Sequence, residues 1–398
     1  MAPLYTYQPF KAAYFAYFAL SLLVKVPLWS IYYLPCRNRQ RASWDLRRAL
    51  IVKVAQSLSA FPIKVNLRQK VDPGKTYENA QFAWIEPVDD SLVVGRLREY
   101  ATNAGVSPAR ISGYWIFKPG FQFEGGGPPK AVEDEKTVLH FHGGGFTTGS
   151  ANPNFITSNI TKGILQYSHI LKRTFGVEYR LASSPPDTVE IENPFPAAIL
   201  DALATYRYLV QEMGFKPENI IVAGDSAGGH IAQVLVRYLM ENHIASLPPP
   251  GYLVLISTVL DLSFSRNVHG SSDERKRFTD IFNPHKPLRE VMAYSTSSIL
   301  GKLSEEQAKI DPFLSPISPH MQPTKGIFRG FPSAYVVAGG AERLCDDSEV
   351  LVEMMREDGV KVVRDIPSDA IHDFLSFHWH EPERTQTLIR ISRWVDEL

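Results

Sequence analysis

Two short stretches carry residue types that can do chemistry. In Gly224-Asp225-Ser226-Ala227-Gly228, a serine stands between glycines two residues to either side, the spacing G-x-S-x-G. The apolar run from Asn219 to Gly224 reads as a short buried strand, and Ile231, Val234, Leu235, Tyr238 and Leu239 recur afterwards at helical spacing. A sharp turn from strand to helix would project the hydroxyl and leave no room for side chains at the flanks, which accounts for both glycines. A plain glycine-rich turn with a serine cap satisfies the spacing alone; strand before and helix after point to a nucleophile. The second stretch is His142-Gly143-Gly144-Gly145-Phe146, after the strand-like run Thr137 to His142. An attacked ester carbonyl becomes an oxyanion and needs unobstructed backbone N–H donors. Ala227, next to the nucleophile, is one expected donor, with Gly143 and Gly144 as the others and Gly145 letting the loop bend. His140 and His142 are expected to be structural, with His142 holding the glycine loop by hydrogen bonds.

A serine hydroxyl is a weak nucleophile and needs a general base. Serine, acid and histidine occur in several chain orders; where the serine sits on a strand-to-helix turn, the acid and then the histidine follow it. His372, in Asp369-Ala370-Ile371-His372-Asp373-Phe374, follows the last apolar strand and is the expected base. His378 and His380 read as surface or cap residues on a helix. Two carboxylates could orient the base, Glu342 directly after a strand and Asp346 four residues on. Asp346 and Glu349 have the spacing of a capping box, which would give Asp346 a structural task.

The elements that must position these groups alternate. Strands are expected at 137–142, 177–182, 219–224, 252–258, 333–339 and 361–367, with a helix over 196–213 that Gly214 stops. Such alternation predicts an α/β fold with a mostly parallel sheet and helices on both faces. Residues 124–136 read as a polar Gly/Pro-rich loop, and Asp261 to Asp311 as an insertion that caps the site. The organisation expected is a hydrophobic N-terminal segment over 1–45, an N-terminal cap with first strands over 46–136, and a catalytic core over 137–398 with its cap insertion near 262–311.

Composition bounds the rest. The chain has 398 residues, 44% hydrophobic, with 42 basic and 42 acidic residues, so its charge balance predicts no nucleic-acid partner. Cys36 and Cys345 exclude a disulfide framework and zinc-type spacing. A dinucleotide loop would need a third glycine where Thr148 stands, and a metal site on His140 and His142 lacks a downstream Asp-His pair. From Ala12 to Leu34 only Lys25 is charged, which suits a membrane-spanning anchor, a segment lying in one leaflet, or a helix packed on the body. Arg37, Arg39 and Arg41 after it would hold the body in the cytosol. The sequon at Asn159 and the ending Val395-Asp396-Glu397-Leu398 point instead to the endoplasmic reticulum lumen.

HGGGF, YRLA, NPFPAAILDALATYRYL and GDSAGGHIA together resemble the hormone-sensitive lipase family of α/β-hydrolases, from about Thr137 to the C-terminus. They are also similar to fungal membrane-associated acetyl-ester and steryl-acetate hydrolases of that family. The resemblance implies a serine carboxylester hydrolase with an N-terminal cap, no cofactor and no metal, acting on short acyl esters, and the aromatic-rich N-terminal segment suggests a hydrophobic alcohol portion. It places Glu342 where the family has an aspartate that orients the histidine, and Asp373 where the family has glycine. Amide hydrolysis, as in arylformamidases and deacetylases, is the alternative chemistry. A small-molecule receptor on the same scaffold is the alternative without chemistry; relatives of that kind typically lose the histidine.

Overall fold

The computed structural model describes residues 9–59, 75, 77–121 and 127–398. Eight strands form its centre: β1 Ala80–Ile85, β2 Ile111–Phe117, β3 Thr137–Phe141, β4 Arg173–Glu178, β5 Ile220–Asp225, β6 Tyr252–Ile256, β7 Ser333–Val337 and β8 Val362–Asp365. They make one sheet in the order β1-β2-β4-β3-β5-β6-β7-β8. β2 runs antiparallel to both neighbours, and every pairing from β4 to β8 is parallel. The expected α/β architecture is present. The sheet continues across residue 136, since β2 pairs with β4, so residues 80–117 belong to the same body as the strands that follow.

Side chains along a strand alternate between faces, and β5 shows what that does here. Ile220 and Val222 pack with Phe175, Leu253, Val234 and Leu235 on one face. Ile221 and Ala223 pack with Ile160, Leu388 and Ile391 on the other. The helix Ala227–Asn242 covers the first face, and Ser158–Tyr167 with Glu383–Asp396 covers the second.

β4 begins four residues before the position its apolar pattern suggested. Arg173 opens it fully buried, because Glu135 accepts from its Nε at 2.9 Å and from its Nη2 at 3.1 Å. The guanidinium also lies over the rings of Trp115 and Phe215, 4.7 and 5.0 Å from their centroids. A paired, stacked arginine can occupy a central strand that a bare charge could not.

The stretch between β6 and β7 forms four short helices, Ser272–Arg275, Leu288–Val291, Ala293–Leu300 and Glu305–Ile310. The described part of the expected polar loop, 127–136, contains no helix or strand; 124–126 lie outside the described residues. At the N-terminus a 24-residue helix, Phe10–Tyr33, has a mean hydropathy of 1.5 over its most apolar window and buries Tyr33 alone. A helix packed on a soluble body would bury one face; this one leaves Tyr17, Leu20, Leu23, Val24, Leu28 and Ile31 all exposed. The next helix, Leu46–Leu58, is docked firmly. Arg48 pairs with Glu383 at 2.8 Å, Arg41 with Asp369 at 2.7 Å, and Trp44 Nε1 donates to Asp369 O at 3.2 Å. Arg39 donates to the carbonyls of Tyr33, Leu34 and Trp44, so two of the three arginines counted for orientation serve the fold.

The glycosylation sequon is closed. Asn159 lies in a helix with its Nδ2 donating to Ser376 O, and Ile160 and Thr161 are buried. The chain's last residues finish a packed helix in which Val395 is buried and Asp396 accepts from Ser168 Oγ.

Breaking a buried ion pair by removing one partner leaves an uncompensated charge and costs about 3–5 kcal/mol. Glu135→Ala is therefore expected to lower the unfolding free energy by about that amount, measured by denaturant titration; an unchanged midpoint would show that Arg173 does not depend on its partner.

Candidate active site

Ser226 sits between β5 and the helix Ala227–Asn242 at φ +51° and ψ −114°, a backbone state that non-glycine residues rarely adopt. Its N–H donates to Ile256 O at 2.8 Å, which pins the turn to β6. A Cβ on Gly228 would stand 1.9 Å from Phe141 O, and one on Gly224 would stand 2.2 Å from Gly228 O. Both glycines are required by close approach, as their spacing predicted.

His372 lies in the loop after β8 with Nε2 3.1 Å from Ser226 Oγ. Its own N–H donates to Asp280 Oδ1 at 3.2 Å, and its ring packs against Phe282 at 4.9 Å between centroids. Glu342 follows β7, wholly buried, with Oε2 3.9 Å from His372 Nδ1. That is beyond hydrogen-bond length, and Nδ1 and Glu342 Oε1 have no partner among the described residues. Oε2 accepts instead from Ser257 Oγ at 2.6 Å and Gly339 N at 2.9 Å. Contacts of this type in unliganded sites commonly close only when substrate is bound. Burial pushes the Glu342 carboxyl up to about 7, against the opposing pull of His372. Asp346 is elsewhere: it accepts from Ser272 N at 2.7 Å and pairs with Arg275 at 2.9 Å, partly exposed. It is not a cap, because the helix Cys345–Glu357 starts after Leu344 with no side-chain capping bond.

The glycine loop differs from expectation at one residue. Gly143 N–H is already used, donating to Asp225 Oδ2 at 2.9 Å, so it is turned away from any oxyanion. Gly144 and Gly145 line the cavity with Ser226, at φ +119° and +61°. Their amides, with that of Ala227 at the helix start, have no acceptor among the described residues. Against expectation, Gly144 and Gly145 rather than Gly143 keep free N–H groups at the cavity, because a carboxylate on the neighbouring strand takes that of Gly143. His142 does hold the loop: Nδ1 lies 2.8 Å from Gly143 O, and the ring stacks on Tyr179 at 4.3 Å. Burial lowers its pKa to about 4, so it is neutral and donates through Nδ1. His140 Nε2 lies 2.9 Å from Asp225 Oδ1. His380 is buried beside Phe374 rather than on a surface helix, while His378 is exposed in the same connection.

The cavity over Ser226 holds about 200 Å³ and is walled by Val259, Phe264, Ile281, Phe282, Leu288, Met292 and Leu344. Several of these come from the stretch between β6 and β7, which therefore roofs the site. The N-terminal region reaches it too: Ser59 lines the cavity, and Gln56 Nε2 donates to Phe278 O and Asp280 O at 2.9 and 2.8 Å. Ser257, Asp280, Asp225 and Gln56 were missed in the sequence. Of these, only Asp225 carried a signal, its place inside the serine motif.

The chain is 29% identical over 263 residues to an esterase of Acinetobacter venetianus, covering 66% of this chain and 75% of the relative. It is 27% identical over 252 residues to an acetyl-hydrolase of Streptomyces hygroscopicus, covering 63% and 71%. It is 26% identical over 297 residues to human arylacetamide deacetylase-like 2, covering 62% and 69%. Among solved structures it is similar to an esterase from the bacterial hormone-sensitive lipase family, with TM-score 0.60, 22% identity and coverage of 89% of this chain and 99% of that one. A family model described as alpha/beta hydrolase fold matches residues 138–376, more than half of the chain and every strand that carries a group of the site, and the chain belongs to that family.

Proposed function

We propose that this protein is a serine carboxylester hydrolase that removes a short acyl group from a hydrophobic alcohol. The observation that carries this reading is His372 Nε2 at 3.1 Å from Ser226 Oγ, beside the free amides of Gly144, Gly145 and Ala227. His372 takes the Ser226 proton as Oγ attacks the acyl carbon, and the three amides stabilise the oxyanion. His372 then protonates the departing alcohol, and water reverses the sequence to free the acid. Glu342 orients the imidazole and balances its charge. A cavity of about 200 Å³ favours an acetyl-sized acyl group over a long chain, and the relatives named as esterase and acetyl-hydrolase support the same class.

We further propose that the helix Phe10–Tyr33 holds the catalytic body at a membrane. A receptor without chemistry would have no use for a histidine within hydrogen-bond reach of the serine.

Ser226→Ala is expected to reduce turnover of p-nitrophenyl acetate by up to about 10⁶; a variant with near-normal rates would remove Ser226 from the mechanism. Glu342→Gln should cost about 10⁴ in turnover and Asp346→Asn little, each measured with the melting temperature as a check on folding. The reverse order would make Asp346 the acid. Deleting residues 1–35 should weaken action on esters in vesicles more than on soluble ones; equal losses on both would refute the anchoring role.

A further inference from the structure

The residue after the base departs from the resembling family's pattern, and the structure shows where its side chain goes. Asp373 stands at φ +51° and ψ +32°, the left-handed region that glycine occupies freely. Its N–H donates to Ser257 Oγ at 3.1 Å. Its Oδ2 lies 3.2 Å from His372 Nε2, the same nitrogen that faces Ser226. Ser226 Oγ takes the hydrogen-bonding direction of that nitrogen, and the carboxylate flanks it. Oδ1 is buried and has no partner among the described residues. Asp373 lines the reaction cavity, whose walls are otherwise largely apolar.

A carboxylate cannot face the lone pair of Nε2 without repulsion, whereas it stabilises Nε2–H. The charged groups around this nitrogen all act in one sense. Glu342 after β7 and Asp280 between β6 and β7 act on His372, Asp225 at the end of β5 acts on Asp373, and all three are acidic. Burial alone would lower the His372 pKa; Asp373 first, then Glu342 and Asp280, overcome it and raise it to about 10. A base that is already protonated cannot take the Ser226 proton.

We propose that Asp373 is a specificity-determining residue: it keeps His372 protonated in the resting site, and a hydrogen-bond donor on the alcohol part of the substrate engages its carboxylate and frees the base. The favoured substrates are then short acyl esters whose alcohol carries a hydroxyl or amino group close to the ester oxygen, such as monoacylated diols. The Nε2 proton that His372 gives up on being freed passes to solvent water, and none is transferred to Asp373. Its carboxylate accepts a hydrogen bond while His372 moves the proton between Ser226 and the leaving oxygen. This rests on the ester-hydrolase reading above.

The test compares the full-length wild-type chain with Asp373→Gly and Asp373→Asn on 2-hydroxyethyl acetate and propyl acetate, which have the same shape and differ by one donor. Glycine fits the backbone here, and melting temperatures check that all three are folded. The preference for the hydroxyl ester, as a ratio of kcat/KM, should fall at least about tenfold in Asp373→Gly, the scale of a hydrogen bond to a charged group. Asn should retain part of it. The acidic limb of the kcat/KM profile for propyl acetate should move to lower pH in both variants, because removing the carboxylate lets His372 lose its proton sooner. An unchanged ratio, or a limb that stays in place, overturns the proposal. Failure of the wild-type chain to cleave either acetate overturns the ester-hydrolase reading and this proposal with it.

Discussion

Asp225 joins the two halves of the site. One of its oxygens accepts from Gly143 N, and the other lies against His140 Nε2. The serine turn follows Asp225 directly, and the glycine loop follows His140 by two residues. One buried carboxylate therefore sets the distance between Ser226, the proposed nucleophile, and the glycine amides opposite it. The tight packing of Gly228 on Phe141 O acts on the same pair of elements from the helix side. Two short-range constraints at adjacent strand ends leave the turn and the loop little freedom to drift apart, which suits donors that must already be in place when charge develops.

Much of the fold was legible because its signals are local. G-x-S-x-G between a strand and a helix, the order of apolar runs and the late histidine depend on neighbours in sequence. What was misread depends on partners far along the chain. Gly143 looked equivalent to Gly144 until Asp225, 82 residues away, claimed its N–H. Arg173 lay outside the strand expected at 177–182, and the partner that lets it open β4, Glu135, lies 38 residues upstream. Asp346 had the spacing of a cap, yet its oxygens meet Ser272 and Arg275 on the insertion. His380 looked external and is enclosed.

The electrostatic design is lopsided. The His372 imidazole is flanked by Glu342, Asp280 and Asp373, Asp225 acts on Asp373 in turn, and no lysine or arginine among the described residues lines the cavity. Burial penalises the charges on Glu342 and Asp373, which are pushed up to about 7 and about 6. Backbone N–H groups and the Ser257 hydroxyl take up part of the load. Ser257 donates to Glu342 while accepting from Asp373 N, so one hydroxyl couples the Glu342 loop to the His372 loop.

Gln56 gives the N-terminal region a mechanical part. Its side-chain amide is latched to two carbonyls of the segment whose Asp280 holds the backbone of His372. The exposed apolar helix stands only a short, arginine-braced link upstream of that latch. Thrust or tension on the helix would be transmitted along this train to the imidazole, so His372 shares a mounting with the exposed apolar helix.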